Sequence, residues 1–221
     1  MSSRLPQWIL FDLDGTLLDS LPGIASSVRA AFTACGMPQL HTNLRRMIGP
    51  PIRAILRQAG EIQDEKSLDC LEREFRADYD TQGWRKTVCF PNAGPVLRLM
   101  REHGFQLVAI SNKPRHISLR TLEHERILEL FEEIITRDSR SPAYSGKEEM
   151  IHAIQAERHI SPTNCLMVGD TIEDAKAAES AGIRFAFMSH GYGTVDEIPS
   201  IPIEWKLDSL SEFLSLLEIS K

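Results

Sequence analysis

The sequence has few cysteines and no long apolar run, and each of these absences excludes a class of protein. The four cysteines stand far apart among 221 residues, so neither a zinc cluster nor a thioredoxin-like motif is indicated, and we expect reduced thiols. No segment reaches the roughly 18 uninterrupted apolar residues of a membrane span, and the N-terminal residues lack the pattern of a signal peptide. We therefore expect a cytoplasmic protein without a membrane partner. The cysteines are Cys35, Cys70, Cys89 and Cys165.

Basic residues are also scarce relative to acidic ones. The chain has 25 Lys and Arg against 31 Asp and Glu, a formal net charge of -6, whereas a nucleic-acid surface needs clustered positive charge. We expect no nucleic-acid partner, and the balance still allows a small anionic ligand in a local basic pocket. With 42% hydrophobic residues and a mean hydropathy of -0.21, the composition is that of a globular protein with an ordinary core.

Short apolar runs alternate with helical patterns over much of the chain. The first run, at residues 8–11, ends abruptly in Asp12, as expected of a strand buried on both faces of a parallel sheet. Similar runs lie at residues 106–110, 133–136, 165–168 and 185–188. Helical spacing of apolar residues is found at residues 95–102, 114–125, 147–158 and 172–181. This alternation predicts an α/β fold with a doubly wound, Rossmann-like parallel sheet that binds ligands at the carboxyl ends of its strands.

Residues 21–84 interrupt the alternation, because they contain helical patterns and no convincing strand. We interpret this segment as a small helical cap domain, inserted into a core domain formed by residues 1–20 and 85–221. The helical patterns of the cap lie at residues 24–35, 43–48, 52–58 and 67–79.

Two carboxylates, Asp12 and Asp14, directly follow the first predicted strand and precede Gly15. Carboxylates so close at a sheet edge are costly unless a cation neutralises them or their pKa values differ, and a hard metal ion with oxygen ligands is the simplest explanation. One carboxylate can then act as a nucleophile while the other transfers protons. The alternative is an Asx-turn that closes a strand.

A second pair of acids, Asp170 and Asp174, follows the strand predicted at residues 165–168. Both lie near the start of the next helix, where they can reach a metal ion held against the first pair. The alternative is helix N-capping, which is compatible with metal binding.

Polar residues also close another predicted strand and open another predicted helix. Ser111 and Asn112 offer a hydroxyl and an amide to phosphate oxygens, with a common turn as the alternative. Lys147 can neutralise charge on a nucleophile and a phosphate. Its alternative is a solvated lysine next to a capping box made by Ser145 and Glu148.

Taken in order, these segments resemble the four motifs of the haloacid dehalogenase-like hydrolase superfamily. The helical insertion and the Gly-Pro-Pro loop at residues 49–51 resemble its phosphoglycolate phosphatase-like branch, as does the Gly-Tyr-Gly loop at 191–193. The residues that match the four motifs are the segment 12–16, Ser111, Lys147, and Asp170 with Asp174.

The resemblance implies a magnesium-dependent phosphatase that passes through an aspartyl-phosphate. It implies that Asp12 is the nucleophile, that Asp14 is the acid/base and that Lys147 is a further catalytic residue. It also implies that Mg²⁺ is coordinated by the Asp12 carboxylate, the Asp14 backbone carbonyl and Asp170, with Asp174 in support. We expect substrate contacts from Gly15, Thr16, Ser111 and Asn112.

We expect the cap to select the substrate, because the core holds only the phosphoryl group that all such substrates share. Arg45 and Arg53 flank the loop at residues 49–51 and can pair with a carboxylate or a second phosphate, with surface solvation as the alternative for each. The expected partner is a small phosphorylated metabolite such as phosphoglycolate. The alternatives are a sugar phosphomutase, a pyrophosphatase or nucleotidase of the same superfamily, and a phosphoacceptor signalling domain. Whether the protein is a monomer or a homodimer stays open.

Overall fold

Eight strands and eight α-helices make up the described part of the protein. The structure is a computed structural model, and it describes residues 6–198 and 200–216. The strands are β1 (Trp8–Phe11), β2 (Leu18–Asp19), β3 (Val88–Cys89), β4 (Gln106–Ser111), β5 (Glu133–Thr136), β6 (Cys165–Gly169), β7 (Arg184–Met188) and β8 (Trp205–Leu207). The helices are α1 (Leu21–Ala34), α2 (Ile52–Gly60), α3 (Glu65–Tyr79), α4 (Ala93–Glu102), α5 (Arg115–His124), α6 (Lys147–Glu157), α7 (Ile172–Ser180) and α8 (Glu212–Leu216).

Six of the strands form one parallel sheet in the order β5-β4-β1-β6-β7-β8. The chain first builds the sheet outward from β1 through β4 to β5, and then returns to place β6, β7 and β8 on the other side. This reversal makes the carboxyl ends of β1 and β6 the switch point of the sheet, where ligands of such folds bind. The predicted doubly wound α/β fold is confirmed.

The central strands are apolar throughout because helices cover both faces of the sheet. Ile9 and Phe11 belong to a buried cluster with residues of α4 and α8, whereas Leu10 belongs to a cluster with residues of α6 and α7. All three side chains are fully buried, and each burial stabilises the fold by roughly 1.5–3 kcal/mol. The sheet edge is therefore a rigid platform for the residues that follow β1, β4 and β6.

The helices α1, α2 and α3 form a separate apolar cluster above the carboxyl end of the sheet. Its side chains come from the three helices and from the loop before α2, and they include Phe32, Leu56 and Phe75. Three residues from the rest of the chain, Trp84 after α3, Ile117 of α5 and Tyr192, complete this cluster. The helical layer, which we call the cap, thus packs directly against the core.

The elements that sequence patterns did not predict are short or polar. The strands β2 and β3 have two residues each and pair with each other in an antiparallel ribbon. The strand β8 lies at the edge of the sheet and exposes Lys206, so it lacks a continuous apolar run. Residues 43–48 contain only the 3-10 turn Arg45–Met47 instead of a full helix, because two prolines follow Gly49 and supply no backbone donor.

The expectation of four reduced cysteines is wrong. Cys35, at the end of α1, and Cys70, in α3, form a disulfide with their Cα atoms 6.3 Å apart. The two are separated by 35 positions in sequence, and only the packing of α1 against α3 brings them together. Cys89 and Cys165 are free thiols.

Across residues 6–198 and 200–216, no helix is both long enough and apolar enough to cross a membrane.

Candidate active site

Three buried carboxylates converge at the switch point of the sheet. Asp12 follows β1, Asp170 follows β6, and Asp174 lies in the first turn of α7. Each offers one oxygen atom, and these three atoms lie within 4.8 Å of one another. The parallel pairing of Phe11 with Val168 sets this proximity. Asp12 comes directly after Phe11, and Asp170 comes two residues after Val168. The structure therefore brings together acids that are far apart in the sequence.

The ammonium of Lys147 lies between two of these carboxylates. Its Nζ atom is 2.7 Å from Oδ1 of Asp12 and 2.7 Å from Oδ1 of Asp174, and its side chain is buried. Lys147 is the first residue of α6, directly after the N-cap Gly146. The start of this helix thus carries a cation into the carboxylate cluster.

The capping box of Ser145 and Glu148, the alternative considered for this segment, does not form. Because the N-cap is Gly146, Ser145 precedes the cap position and its backbone N and Oγ donate to Oε2 of Glu149 at 2.8 and 2.9 Å. Glu148 instead accepts a hydrogen bond from Ser180. Lys147 occupies the first helical position, as the helical pattern at residues 147–158 predicts, and its side chain lies in the site.

The cluster carries more negative charge than Lys147 neutralises. Burial, assisted by the charge of Asp174, raises the pKa of Asp170 to about 7. Burial also raises the pKa of Asp12, against the opposing effect of Lys147. For Lys147, burial disfavours the charged form, but the two carboxylates outweigh it and raise the pKa of the ammonium above its usual value. An additional cation would relieve the remaining repulsion.

Asp174 is also part of a helix cap. Its Oδ2 atom accepts hydrogen bonds from the backbone N of Thr171 at 3.1 Å and from Oγ1 of Thr171 at 2.6 Å, while Thr171 caps α7 in return. Its Oδ1 atom is the one that contacts Lys147. The Asp174 side chain therefore takes part in the cap of α7 and also belongs to the carboxylate cluster.

Asp170 is held by residues from two loops. Oγ1 of Thr16 donates to its Oδ1 at 2.8 Å, and the backbone N of Tyr192 donates to its Oδ2 at 2.7 Å. Gly15 and Gly191 lie so close to Asp170 that a Cβ atom at either position would overlap its carboxylate. Gly15 and Thr16, expected to contact substrate, are thus placed against Asp170, where they orient it.

This cluster suits a divalent metal ion. Its donors are all carboxylate oxygens, which Mg²⁺ and Ca²⁺ prefer, and its members are buried with raised pKa values at Asp12 and Asp170. The backbone carbonyl of Asp14, the ligand implied by resemblance, stays a prediction. The residues that would hold the metal through their side chains are Asp12, Asp170 and Asp174.

The carboxylate of Asp14 takes part in a different interaction. Nζ of Lys113 lies 2.9 Å from Oδ1 of Asp14 and donates a second hydrogen bond, 2.8 Å long, to Oη of Tyr79. For Lys113, burial opposes the charge, but Asp14 and Tyr79 outweigh it and raise the pKa of the ammonium. Asp12 and Asp14 thus have separate cationic partners, Lys147 and Lys113.

A cavity of about 70 Å³ lies between the sheet edge and the cap. Its core side includes Asp12, Asp14, Ser111 and Lys113, so both predicted catalytic acids line one cavity. Its cap side is mainly apolar, with Tyr79 and Arg76 as polar exceptions. The apolar part of the wall consists of Ile24, Ile48, Pro50, Pro51, Ile52, Ile55 and Phe75.

Ser111 and Asn112 both line this cavity. Ser111 is buried at the end of β4, and its Oγ accepts a hydrogen bond from the backbone N of Lys113 at 3.2 Å. Asn112 connects the cap to the core, because its Nδ2 donates to the carbonyl of Gly49 at 3.1 Å and to Oε2 of Glu173 at 3.0 Å. The structure thus brings Ser111 next to the acids and gives Asn112 a bridging position.

The two cap arginines are placed outside the cavity wall. Arg53 lies on the cap surface, where its guanidinium donates to three carboxylates, those of Glu65, Asp69 and Glu72. Arg45 reaches down to the core, where it donates to the carbonyl of His190 at 2.8 Å and to that of Gly191, with its guanidinium 5.4 Å from the centre of the Tyr192 ring. Arg53 is therefore paired with three acids of the cap, and Arg45 joins the cap to the core through hydrogen bonds.

Sequence reasoning did not single out Lys113, Tyr79 and Arg76 as site residues. Lys113 had a usable signal, because it follows Ser111 and Asn112 at the carboxyl end of β4. Tyr79 and Arg76 had none, since they stand in the last turn of a helix whose docking is a long-range property.

Comparison with known proteins gives a consistent result. Residues 9–188 match the haloacid dehalogenase-like hydrolase family. The tyrosine-protein kinase PtkA of Mycobacterium tuberculosis (strain ATCC 25618 / H37Rv) is 34% identical over 194 residues, which cover 87% of this chain and 65% of PtkA. The phosphoglycolate phosphatase of Psychrobacter arcticus is 28% identical over 221 residues, covering 96% of this chain and 95% of that protein.

A solved structure shares the whole fold. The crystal structure of a predicted phosphoglycolate phosphatase from Haemophilus somnus 129PT superposes with a TM-score of 0.81 at 26% identity, covering 95% of this chain and 97% of the other. The family match spans the segments after β1, β4 and β6 as well as Lys147. The resemblance inferred from the four motifs is confirmed, and the chain belongs to the haloacid dehalogenase-like hydrolase family.

Proposed function

We propose that this protein is a magnesium-dependent phosphatase that hydrolyses a small phosphate monoester with Asp12 as the nucleophile. The proposal depends above all on one observation, the buried contact of Asp12 with Lys147 beside Asp170 and Asp174 at the switch point of the sheet. The phosphoglycolate phosphatase that is 28% identical over nearly the full chain supports the same reaction class.

In the proposed reaction, Asp12 attacks phosphorus and the bond from phosphorus to the leaving oxygen breaks, which forms an aspartyl-phosphate. Asp14, which lines the same cavity, enters this step carrying a proton and gives it to the leaving oxygen. Asp14 then takes a proton from a water molecule that attacks phosphorus. The bond to Asp12 breaks, and inorganic phosphate and the free carboxylate result.

Cationic and polar groups of the site stabilise this transfer. Lys147, which contacts Asp12, neutralises charge on Asp12 and the phosphoryl group, and Ser111, which lines the cavity, donates to a phosphoryl oxygen. A magnesium ion held by Asp12, Asp170 and Asp174 would neutralise further charge on the phosphoryl oxygens. Thr16 and Tyr192 keep the Asp170 carboxylate in place throughout.

The cavity favours a compact substrate. The volume of about 70 Å³ between the sheet edge and the cap favours a short leaving group over a nucleotide or a polypeptide. Lys113 and Arg76 in the wall favour an anionic leaving group. Phosphoglycolate combines both properties and is the best candidate.

Release of inorganic phosphate from a panel of monoesters, with and without Mg²⁺, tests this function. We expect turnover of small anionic monoesters that requires Mg²⁺, and a fall in kcat of at least about 1,000-fold in Asp12→Asn. The exposed Asp196→Asn serves as the matched control and keeps wild-type turnover. Full turnover by folded Asp12→Asn would show that another group attacks phosphorus.

The metal has a readout that does not depend on turnover. We expect Mg²⁺ at 100 times its dissociation constant to stabilise the wild-type protein by about 2.7 kcal/mol in thermal unfolding, because the ion binds only the folded cluster. Asp170→Asn removes a cluster oxygen and lowers that stabilisation. Equal stabilisation of the wild type and Asp170→Asn would place the metal elsewhere.

A second candidate function is transfer of the phosphoryl group from Asp12 to a hydroxyl other than water. The 34% identity to the tyrosine-protein kinase PtkA favours it, whereas the small volume of the cavity, about 70 Å³, favours hydrolysis. Incubation with a labelled phosphoryl donor and a tyrosine-containing protein separates the two. Label on the protein acceptor supports transfer, and label in inorganic phosphate alone supports hydrolysis.

A further inference from the structure

Lys113 is a buried cation that joins the catalytic edge of the sheet to the cap. Its Nζ atom contacts Oδ1 of Asp14, on the core side, and Oη of Tyr79, the last residue of α3. The side chain of Lys113 is only 3% exposed. One ammonium therefore touches both the proposed acid/base and the element that covers it.

The same ammonium is available to a ligand in the cavity. An ammonium has three N–H donors, and the bonds to Asp14 and Tyr79 use two of them. Lys113 lines the cavity together with both of these partners. A third hydrogen bond can therefore go to an acceptor on the leaving group of a bound substrate.

The surrounding wall makes Lys113 the favoured partner of an anion. Most of the cap side is apolar, and an anionic group buried there without a cation would be costly. Arg76 is the other cation of the wall, but its side chain is 31% exposed and lies 3.8 Å from Glu72 and 3.9 Å from Asp80. Lys113 is more buried, so its charge is less screened by water.

We propose that Lys113 determines the substrate specificity of this site by binding a second anionic group, such as a short carboxylate, on the leaving group. This inference rests on the proposed phosphatase function and names its substrate class. The substrate anion accepts the third hydrogen bond of the ammonium, so Lys113 holds the leaving group beside Asp14. A monoester without that anion leaves the third donor of Lys113 without an acceptor on the substrate and reacts slowly.

The test compares two substrates of nearly equal shape, phosphoglycolate and its amide, phosphoglycolamide. The wild-type protein is expected to prefer the carboxylate, measured as the ratio of the two kcat/KM values, by at least about tenfold. In Lys113→Met this ratio falls roughly 10- to 100-fold, the size of one hydrogen bond to a buried charge. Lys66→Met, an exposed lysine of the same cap, keeps the wild-type ratio.

Each result has a distinct meaning. A wild-type ratio near one overturns the role of Lys113 without any variant, even if both compounds are hydrolysed. A preference that survives in Lys113→Met but disappears in Arg76→Met places the anion at Arg76 and also overturns it. Lys113→Gln, which keeps a polar side chain, carries the same expectation if Lys113→Met does not fold. Failure of the wild-type protein to hydrolyse any monoester in the panel would instead reject the phosphatase function.

Discussion

The carboxylate cluster at the sheet edge and the cap wall above it are held in place in different ways. Asp12 and Asp170 follow adjacent paired strands, so backbone hydrogen bonds of a buried sheet fix their positions. The cap wall is built from helices that contact the core through side chains, among them Asn112, Lys113 and Arg45. From this difference we expect the chemistry to depend on the sheet edge and the choice of substrate to depend on how the cap is docked.

Replacing the cluster lysine is expected to have the largest effect. Lys147→Met leaves Asp12 and Asp174 buried without their shared cation, which should lower the free energy of unfolding by about 3–5 kcal/mol. Loss of its charge at the phosphoryl group should lower kcat roughly 100- to 1,000-fold. Denaturant unfolding and phosphate release measure the two effects. A folded variant with wild-type kcat would contradict the catalytic role proposed for the carboxylate cluster.

Removing the disulfide of the cap is expected to have an intermediate effect. The double substitution Cys35→Ser and Cys70→Ser frees a loop of 35 residues and should lower the free energy of unfolding by about 2–4 kcal/mol. Because the bond lies within the cap, KM should rise more than kcat falls. Reducing agent should destabilise the wild-type protein in denaturant unfolding and leave the double variant unchanged. A drop in kcat without a rise in KM would contradict the proposal that the cap binds the substrate and the core carries out the chemistry.

Loosening the contact between cap and core is expected to have the smallest effect. Arg45→Met removes the hydrogen bonds to the carbonyls of His190 and Gly191, worth about 1 kcal/mol at a largely exposed position. KM should rise roughly fivefold with little change in kcat. Steady-state kinetics of Arg46→Met, the exposed neighbour in the same turn, provides the control. An equal rise in both variants would argue against a fastening role for Arg45.

More of the core than of the cap could be predicted from the sequence. The acids after β1 and β6 stand next to apolar runs, so strand patterns alone placed them at one edge of a sheet. The helical pattern at residues 147–158 predicted the start of α6 at Lys147 correctly, but not that Gly146 instead of Ser145 is its N-cap. Local patterns thus suffice where backbone pairing sets the geometry.

Long-range packing explains what the sequence did not reveal in the cap. The pairing of Cys35 with Cys70 and the contact of Tyr79 with Lys113 both depend on how α3 lies against other elements. Arg53 had suitable charge and position in sequence, but three acids from α3 surround it. Periodicity places a residue on a helix face and does not say which partner that face meets.

Trapping the covalent intermediate tests the central role of Asp12 most directly. The protein is mixed with a rapidly hydrolysed monoester and Mg²⁺, quenched in acid within one turnover, digested and examined by mass spectrometry. We predict one phosphoryl group on the peptide that contains Asp12, and none on that peptide in Asp12→Asn. A phosphoryl group on a different residue, or rapid turnover with no phosphorylated peptide at any quench time, would contradict attack by Asp12.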